Sequence, residues 1–329
     1  MSFVVRINYT EGQVMDKGIQ DFISVISNTN FKIRSSLTNI CEHVKTQVQE
    51  IAVRVNRSIV VFTPKESLFL GIDGSLSTED PKSLLINQVD LFETLKIICN
   101  FSLYSFQNQI KNGFITLRGG HRVGLCGTAI LNGNDIINIS DISSINLRVA
   151  REVVGSSGKI FEKFGFDLGG TLVAGPPTSG KTTILRDIAR KLSTTLLNGR
   201  LIKISVIDER CEIAAVYQGV PQKNIGLSDV MNGFPKADGI IRAVRTLSPQ
   251  IVICDEVGTQ EDAEAIKNSL NCGVGIVASI HARTGEEISR SKRIKNILNS
   301  GAIKRVILLE NHVKPGTIKN MFEVENAIS

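Results

Sequence analysis

The chain has 329 residues, of which 42% are hydrophobic and 21% are charged, and its formal net charge at pH 7 is +6. These values are typical of a soluble globular protein with room for two domains, and they exclude a disordered chain. The positive charge is too diffuse to indicate contact with nucleic acid or anionic lipid. The N-terminus lacks a cationic start followed by an apolar core, and no run reaches about 18 apolar residues, so we expect a cytoplasmic protein.

The cysteines occur singly, without a C-x-x-C pair and without histidines at metal-ligand spacing. This distribution predicts neither a disulfide framework nor a zinc site. We therefore expect all of them to be small, reduced residues of the core. They are Cys41, Cys99, Cys126, Cys211, Cys254 and Cys272.

The first half of the chain predicts an α+β domain that begins with helices. Apolar residues recur at helical spacing over residues 37–55, and an apolar run beginning at Ser58 predicts a strand. A second helix is predicted over residues 81–99, because proline occupies its first turn and a strong apolar face follows. Residues 104–113 predict a third helix that ends at a glycine.

Residues 114–150 change to the pattern of strands separated by tight turns. The Asn132-Gly133 pair is the strongest hairpin signal in the chain, with strands DIINIS and SINLRVA after it. Gly, Ser and Lys then surround a short helical segment. We therefore expect an α+β N-terminal domain over residues 1–150 and a second domain over residues 151–329.

The second half predicts strands and helices in alternation, which is typical of a parallel sheet covered by helices. Ligands of such sheets bind at the carboxyl ends of the strands. A long glycine- and proline-rich stretch, residues 218–239, predicts a functional or mobile loop. The predicted strands are residues 171–174, 201–208, 250–256, 273–280 and 305–310, and the predicted helices are residues 183–196, 237–247 and 260–270.

Residues 175–182, GPPTSGKT, match the phosphate-binding pattern G-x-x-x-x-G-K-[ST], known as Walker A, between a strand and a helix. Backbone N–H groups of such a loop surround nucleotide phosphates, and the helix dipole adds positive potential. Lys181 then reaches the β- and γ-phosphates, and Thr182 ligates Mg²⁺. The alternative is a turn without a ligand. The residues predicted to bind the nucleotide are Gly175, Pro176, Pro177, Thr178, Ser179, Gly180, Lys181, Thr182 and Thr183.

Two carboxylates follow the apolar strand IVIC. This position favours Asp255 as part of the Mg²⁺ shell and Glu256 as the residue that orients and deprotonates water, although such a pair is also common in turns. Residues 255–258 also fit the D-x-x-G pattern of GTPases, but the chain has no N-K-x-D segment to read guanine. ATP is therefore favoured over GTP.

A second acidic cluster ends the strand LIKISVID, with Asp208, Glu209 and, shortly after, Glu212. It predicts further water-positioning or metal-shell carboxylates, and the alternative is a helix start where acidic groups complement the dipole. His281 follows the strand VGIVASI, where it would face the γ-phosphate; a capped core histidine is the alternative.

Arg242 and Arg245 lie three residues apart on a predicted helix and share a face. They could reach nucleotide phosphate on the same subunit or on a neighbouring one. A solvated helix face is the alternative for at least one of them.

Four segments, in this order and spacing, resemble the stage III sporulation protein AA family of the secretion-ATPase superfamily, which includes type II, type IV and pilus motors. The resemblance covers nearly the full length and is weakest over about the first 30 residues. The segments are GFITLRGGHRVGLCGTA from Gly113, SINLRVAREV from Ser144, VIDERCEIAAVYQGVPQ from Val206 and SPQIVICDEVGTQEDAEAI from Ser248.

The resemblance implies a smaller α+β N-terminal domain that folds over the nucleotide of an α/β, RecA-like P-loop ATPase domain with a parallel sheet. It implies a homo-hexamer that hydrolyses ATP with Mg²⁺ and acts with membrane proteins of a channel complex between mother cell and forespore. The chain would associate peripherally with the mother-cell membrane through these partners, without nucleic acid.

The resemblance also implies roles for single residues. Lys181, Glu256, Glu209 and His281 would be catalytic, with Glu209 and Glu212 in an acidic box. Arg122, Arg148 and Arg151 would supply arginines to phosphate. The chain departs from the secretion motors at Walker B, where Asp255-Glu256 replaces Gly-Glu, and at Ser279, where a threonine is usual.

Two other functions are consistent with the same sequence. An ATP-gated assembly scaffold would bind nucleotide and turn it over little. A nucleic-acid translocase would bind with steep salt dependence. The low aromatic content of 5%, with no tryptophan, argues against the translocase.

Overall fold

The computed structural model describes residues 16–80, 82, 84–290, 297–298, 301–310 and 315–324. The chain divides into two compact units, Met1–Arg151 and Glu152–Ser329. The expectation about a leader rests on the first residues of the chain, which lie outside the described residues. Within the described ranges, no helix is both long and apolar enough to cross a membrane.

The first unit contains five α-helices, one short 3-10 helix and seven strands among its described residues. The helices are α1 (Lys17–Ile26), α2 (Phe31–Thr38), α3 (Glu42–Lys45), α4 (Gln88–Ile98) and α5 (Gln107–Lys111), with the 3-10 helix at Leu103–Phe106. The strands are β1 (Glu50–Arg54), β2 (Val60–Phe62), β3 (Ser67–Leu70), β4 (Leu76–Ser77), β5 (Phe114–Thr116), β6 (Arg122–Asn132) and β7 (Asp135–Arg148).

The strands form one antiparallel sheet in the order β4-β3-β2-β1-β7-β6-β5. Helices α1, α2 and α4 contribute the apolar side chains of Phe22, Ile33 and Leu91 to a core that includes Ile51 and Leu147 from the sheet. The predicted α+β class of this half is therefore confirmed.

The helix predicted over residues 37–55 is wrong. Helix α2 ends at Thr38, and the valine- and isoleucine-rich end of the segment forms β1, which pairs with β2 on one side and β7 on the other. The pairing buries Ile51, Ala52 and Val53. Sheet pairing on both edges thus outweighs the helical spacing of the apolar residues.

The helix predicted over residues 81–99 is shorter than expected. Asn87 accepts a hydrogen bond from the backbone amide of Asp90, and the Asp90 carboxylate accepts one from the amide of Asn87. This capping box fixes the first turn, so α4 begins at Gln88 rather than at the proline.

The predicted hairpin is confirmed, because Asn132 pairs with Asp135 and leaves Gly133 and Asn134 as the turn. Gly133 has a φ of 61°, a conformation that favours glycine. The two strands predicted after the turn are one strand of 14 residues, because β7 pairs with β6 along nearly its whole length.

The second unit consists of a large sheet, a small ribbon and five helices among its described residues. The helices are α6 (Gly158–Phe164), α7 (Lys181–Thr194), α8 (Lys236–Thr246), α9 (Gln260–Asn271) and α10 (Gly285–Arg290). The strands are β8 (Thr171–Gly175), β9 (Leu196–Leu197), β10 (Arg200–Leu201), β11 (Ile204–Asp208), β12 (Asp229–Asn232), β13 (Ile251–Cys254), β14 (Gly275–His281), β15 (Arg305–Leu309) and β16 (Ile318–Glu323).

The large sheet has the order β12-β11-β13-β14-β8-β15-β16 and is parallel except for β16, which is antiparallel to β15. The predicted parallel sheet is therefore confirmed. Strand β12 lies inside the segment predicted as a loop, residues 218–239, and shortens that loop. Strand β16 was not predicted.

Helices cover both faces of this sheet. On one face, Ile240 of α8 belongs to the same apolar cluster as Val252 of β13. On the other, Ile188 of α7 belongs to a cluster with Val206 of β11 and Ile253 of β13. Because the strands are parallel, the residues that follow β8, β11, β13 and β14 meet at one edge.

The expectation that all six cysteines are core residues is wrong for three of them. Cys41, Cys126 and Cys272 are exposed, whereas Cys99 and Cys254 are buried and Cys211 is half-buried. Cys41 and Cys272 lie at the ends of helices α3 and α9, where the chain turns at the surface.

Candidate functional site

The phosphate-binding loop, residues 175–182, connects β8 to α7. Gly180 immediately precedes the helix with a φ of 94°, and a Cβ there would collide with the backbone of Gly316. The amide of Gly316 donates to the carbonyl oxygen of Ser179 at 2.7 Å. The glycine of the motif is therefore required both for its backbone conformation and for close approach of the turn before β16.

The rest of the loop is graded in exposure. Gly175 and Ser179 are buried, Pro176 is half-buried, and Pro177 and Thr178 are exposed. Thr182 and Thr183 are half-buried at the start of α7. The exposed part of the loop is followed directly by the N-terminus of α7, where backbone N–H groups and the dipole favour an anion.

The ammonium group of Lys181 is folded back onto its own loop. Its Nζ lies 3.0 Å from the carbonyl oxygen of Gly175, 2.9 Å from that of Pro176 and 3.1 Å from Nδ1 of His281. Burial lowers the pKa of Lys181, although Glu256 acts in the opposite direction. The lysine predicted to reach phosphate thus already has hydrogen-bond partners within the protein.

His281 connects Lys181 to Glu256. An ammonium can only donate, so Nδ1 of His281 accepts, and a neutral ring carries its proton on Nε2. That nitrogen lies 2.8 Å from Oε1 of Glu256. The structure therefore brings three of the predicted catalytic residues together in one chain of close contacts.

Glu256 is held on all sides. Its Oε2 lies 2.6 Å from Nη1 of Arg210, and its amide donates to Oγ of Ser279 at 2.9 Å. Its φ is 29°, a region that a residue with a Cβ rarely adopts and that persists only when the surroundings impose it. Ser279 supplies the hydroxyl that accepts this hydrogen bond from the backbone.

Asp255 is buried, and among the described residues neither of its carboxylate oxygens has a hydrogen-bond partner. Burial raises the pKa of Asp255 to about 7. A buried carboxyl group without hydrogen bonds is costly unless a cation is nearby. Among the described residues, the positive charge beside it is Nζ of Lys236, which lies 3.8 Å from Oδ1.

Lys236 was not predicted from the sequence. It is the first residue of α8 and only 6% exposed. Burial opposes its charge, but the surrounding acidic groups, Asp255 and Glu209 among them, outweigh burial and raise its pKa. The one signal in the sequence was a cation at a predicted helix start, where the dipole disfavours it.

The second acidic cluster separates into two kinds of residue. The Asp208 carboxylate accepts hydrogen bonds from the backbone amides of Glu212, Ile213 and Ala214, so its role is to shape the turn. Glu209 is partly exposed and pairs with Lys236 at 3.2 Å. No helix begins within residues 209–214, so the alternative of a helix start is wrong.

Arg186 of α7 also holds the turn that Asp208 shapes. Its Nε donates to the carbonyl oxygen of Ile213 and its Nη2 to that of Glu212, each at 2.7 Å. Glu212 is thereby held through its backbone. Its side chain is half-buried beside the site.

The predicted arginines lie in different settings. Arg242 forms an exposed ion pair with Asp238 at 2.6 Å, as the alternative of a solvated helix face predicts, and Arg245 is exposed. In the first unit, Arg122 stacks on the ring of Phe114. Their expected contacts to phosphate stay predictions.

The other two arginines that were predicted to reach phosphate also have partners. Arg148 pairs with Glu50 at 3.1 Å, and Arg151 donates to the carbonyl oxygens of Lys45 and Val48. Both contacts lie within the first unit. A role of either residue at a nucleotide therefore remains a prediction.

Asp187 joins the start of the second unit to the helix after the phosphate-binding loop. Its carboxylate accepts from the amide of Gly155 at 3.0 Å, from the amide and hydroxyl of Ser157, and from Arg190 at 2.6 Å. Burial opposes its ionisation, but these hydrogen bonds outweigh burial and lower the pKa of Asp187.

Asp187→Asn is expected to lower the free energy of unfolding of the second unit by about 3 kcal/mol at pH 7, because it removes the charged partner from a largely buried pair. The folded-state pKa lies below the unfolded one, so this stability is present above about pH 4 and disappears as pH falls through the folded-state pKa. Urea unfolding of both proteins at several pH values measures the difference. A difference that does not shrink in acid would contradict the assignment.

The family model of sporulation stage III, protein AA, matches residues 20–328. Stage III sporulation protein AA of Bacillus subtilis (strain 168) is 30% identical over 298 residues, which cover 90% of this chain and 93% of that protein. Protein SEEDLING PLASTID DEVELOPMENT 1 of Arabidopsis thaliana is 31% identical over 170 residues, covering 51% of this chain and 24% of that protein.

The X-ray structure of the Legionella pneumophila ATPase DotB is also similar. It aligns with a TM-score of 0.50 and 18% identity, and covers 82% of this chain and 74% of that chain. At this identity the likeness shows the fold alone, and it confirms the predicted combination of an N-terminal domain with a RecA-like P-loop ATPase domain. The family model and the Bacillus subtilis relative both extend over nine-tenths or more of the chain. This chain therefore belongs to the sporulation stage III, protein AA family.

Proposed function

We propose that this protein hydrolyses ATP to ADP and phosphate and that it uses the cycle to power or gate a membrane-associated channel complex between mother cell and forespore. The observation that supports hydrolysis best is the chain of contacts from Lys181 through His281 to Glu256 beside the phosphate-binding loop. A residue that binds phosphate is thereby connected to a carboxylate suited to water activation. The sporulation setting is supported by the family to which the chain belongs.

In this proposal the phosphates of ATP bind to the phosphate-binding loop at the N-terminus of α7. Lys181 exchanges its bonds to the carbonyl oxygens of Gly175 and Pro176 for bonds to the β- and γ-phosphates. Glu256 orients water for in-line attack and accepts its proton, with Glu209 as the second candidate base. His281 loses its contact with Lys181 when the lysine turns to phosphate, so it can report the γ-phosphate to Glu256.

The residues present fit a Mg²⁺ ion held with the nucleotide. Among the described residues, no group of three or more His, Cys, Asp or Glu side chains is arranged to hold a metal on its own. Mg²⁺ commonly relies on one or two protein oxygens together with phosphate and water. Thr182 at the start of α7 and the buried Asp255 carboxylate would hold it, and the ion would neutralise charge on the phosphates.

The assembly and its location are part of the same proposal. The subunits form a homo-hexamer, and membrane proteins of the sporulation channel hold it peripherally at the mother-cell membrane. Arg122 and Arg148 of the N-terminal domain supply positive charge to phosphate. Nucleic acid is not a partner.

Phosphate release from ATP and from GTP, each with Mg²⁺ and with EDTA, tests the proposal. We expect release from ATP with Mg²⁺, less from GTP and none with EDTA. Bound ATP without release would instead favour the scaffold that binds nucleotide and turns it over little. Stimulation by nucleic acid that falls steeply with salt would favour the translocase.

A further inference from the structure

Lys236 is a buried cation that the proposed reaction does not yet use. Its Nζ lies 3.2 Å from Oε2 of Glu209, 3.0 Å from the carbonyl oxygen of Glu256 and 3.8 Å from Oδ1 of Asp255. One ammonium group therefore contacts the residues that follow β11 and those that follow β13. These strands are neighbours in the sheet.

The position of this charge is unfavourable by itself. Lys236 is the first residue of α8 and follows Pro235, so it stands at the positive end of the helix dipole. Its side chain is also buried, which costs free energy unless partners compensate. Glu209, Asp255 and the carbonyl oxygen of Glu256 compensate for this burial, so the lysine is placed to act on the residues that follow β11 and β13.

Its contact with Glu256 is to the backbone. The Glu256 amide donates to Ser279 and its carbonyl oxygen accepts from Lys236, so both peptide groups of this residue are fixed from outside. The φ of 29° needs such external restraint. This backbone conformation sets the direction of the Cα–Cβ bond of Glu256, whose Oε1 lies 2.8 Å from Nε2 of His281.

We propose that Lys236 is a positioning residue for the hydrolytic carboxylate: it fixes the backbone of Glu256 and holds Glu209 and Asp255 beside it. The inference rests on the proposed ATP hydrolysis. Lys236, in the first turn of α8, thereby joins the site residues that follow β11 and β13. Lys236 does not touch nucleotide in this account and acts through Glu256.

Lys236→Met tests the proposal, because methionine keeps much of the length and removes the ammonium. Supporting partners of this kind typically change activity by about 10- to 100-fold, so kcat for ATP is expected to fall by that factor. The KM and the affinity for ATP are expected to stay within about threefold, since the contacts of Lys181 are intact. Lys267→Met, at an exposed position on α9, is the matched control and is expected to retain full activity.

A second measurement separates positioning from a loss of stability. If Lys236 acts through Glu256, Lys236→Met should lower kcat by less than about twofold in a Glu256→Gln background, because the carboxylate it positions is already gone. A structural defect would lower kcat by the same factor in both backgrounds. Thermal unfolding with bound ATP checks that each variant is folded, and Lys236→Gln replaces the methionine variant if that one does not fold.

The outcomes separate the role of Lys236 from the proposed ATP hydrolysis. An active wild type with unchanged kcat in folded Lys236→Met, or equal factors in both backgrounds, would overturn the role of Lys236 and leave ATP hydrolysis intact. A wild type that binds ATP and never releases phosphate would overturn the proposed function, and the inference with it.

Discussion

Lys181→Ala is expected to weaken ATP binding by at least about 100-fold, because the ammonium would form charge-assisted hydrogen bonds with phosphate worth about 1.5–3 kcal/mol each. In the structure the same group bonds to the carbonyl oxygens of Gly175 and Pro176. Isothermal titration of ATP into wild type and variant measures the effect.

Lys181→Ala must be shown to be folded before the two affinities are compared. Burial already opposes the charge of Lys181 and lowers its pKa, so its removal is not expected to unfold the second unit. Lys267→Ala, on the exposed face of α9, should bind ATP like the wild type. An affinity of Lys181→Ala that equals the wild-type value would remove the basis for nucleotide binding at this loop.

Glu256→Gln is expected to bind ATP normally and to hydrolyse it about 10²- to 10⁴-fold more slowly, which is the usual contribution of a general base. Glutamine keeps the shape and a hydrogen-bonding oxygen, so contacts with His281 and Arg210 can persist in part. Single-turnover hydrolysis of bound ATP measures the chemical step apart from nucleotide binding.

Glu209→Gln is the matched variant at the second acidic strand end. Because Glu209 is engaged by Lys236 and is partly exposed, we expect a smaller loss of rate than for Glu256→Gln. The reverse order, with near wild-type turnover in Glu256→Gln and slow turnover in Glu209→Gln, would assign the base to Glu209 instead.

The residues that meet at the site were largely predictable, for a geometric reason. A phosphate-binding motif between a strand and a helix fixes where the nucleotide would lie, and parallel strands deliver their final residues to the same edge. Lys181, Glu256 and His281 were therefore expected near one another, and the structure connects them directly.

Other features depend on contacts that no local pattern encodes. Lys236 matters because the first turn of α8 lies beside the ends of β11 and β13, and only the folded sheet creates that proximity. Asp208 resembled its acidic neighbours in sequence, but three backbone amides make it a structural residue. The sequence does not distinguish a carboxylate that shapes a turn from a carboxylate that takes part in a site.

Errors in the elements have a similar origin. Residues 50–54 contain a continuous apolar run, Ile51 to Val53, that a helix also tolerates, and only pairing with β2 and β7 decides in favour of a strand. Half of the residues of strand β16 are polar and half are exposed, so it carries a weak apolar signal, and it forms because β15 offers it a free edge. Short edge strands are therefore harder to predict than central ones.

Steady-state ATP hydrolysis against protein concentration, for wild type and Lys181→Ala side by side, tests both turnover and the role of the phosphate-binding loop. We expect a specific activity that rises with concentration, as sites completed between subunits require, and that vanishes in the variant. Hydrolysis that persists undiminished in Lys181→Ala, or ATP bound without turnover at every concentration of the wild type, would contradict this expectation.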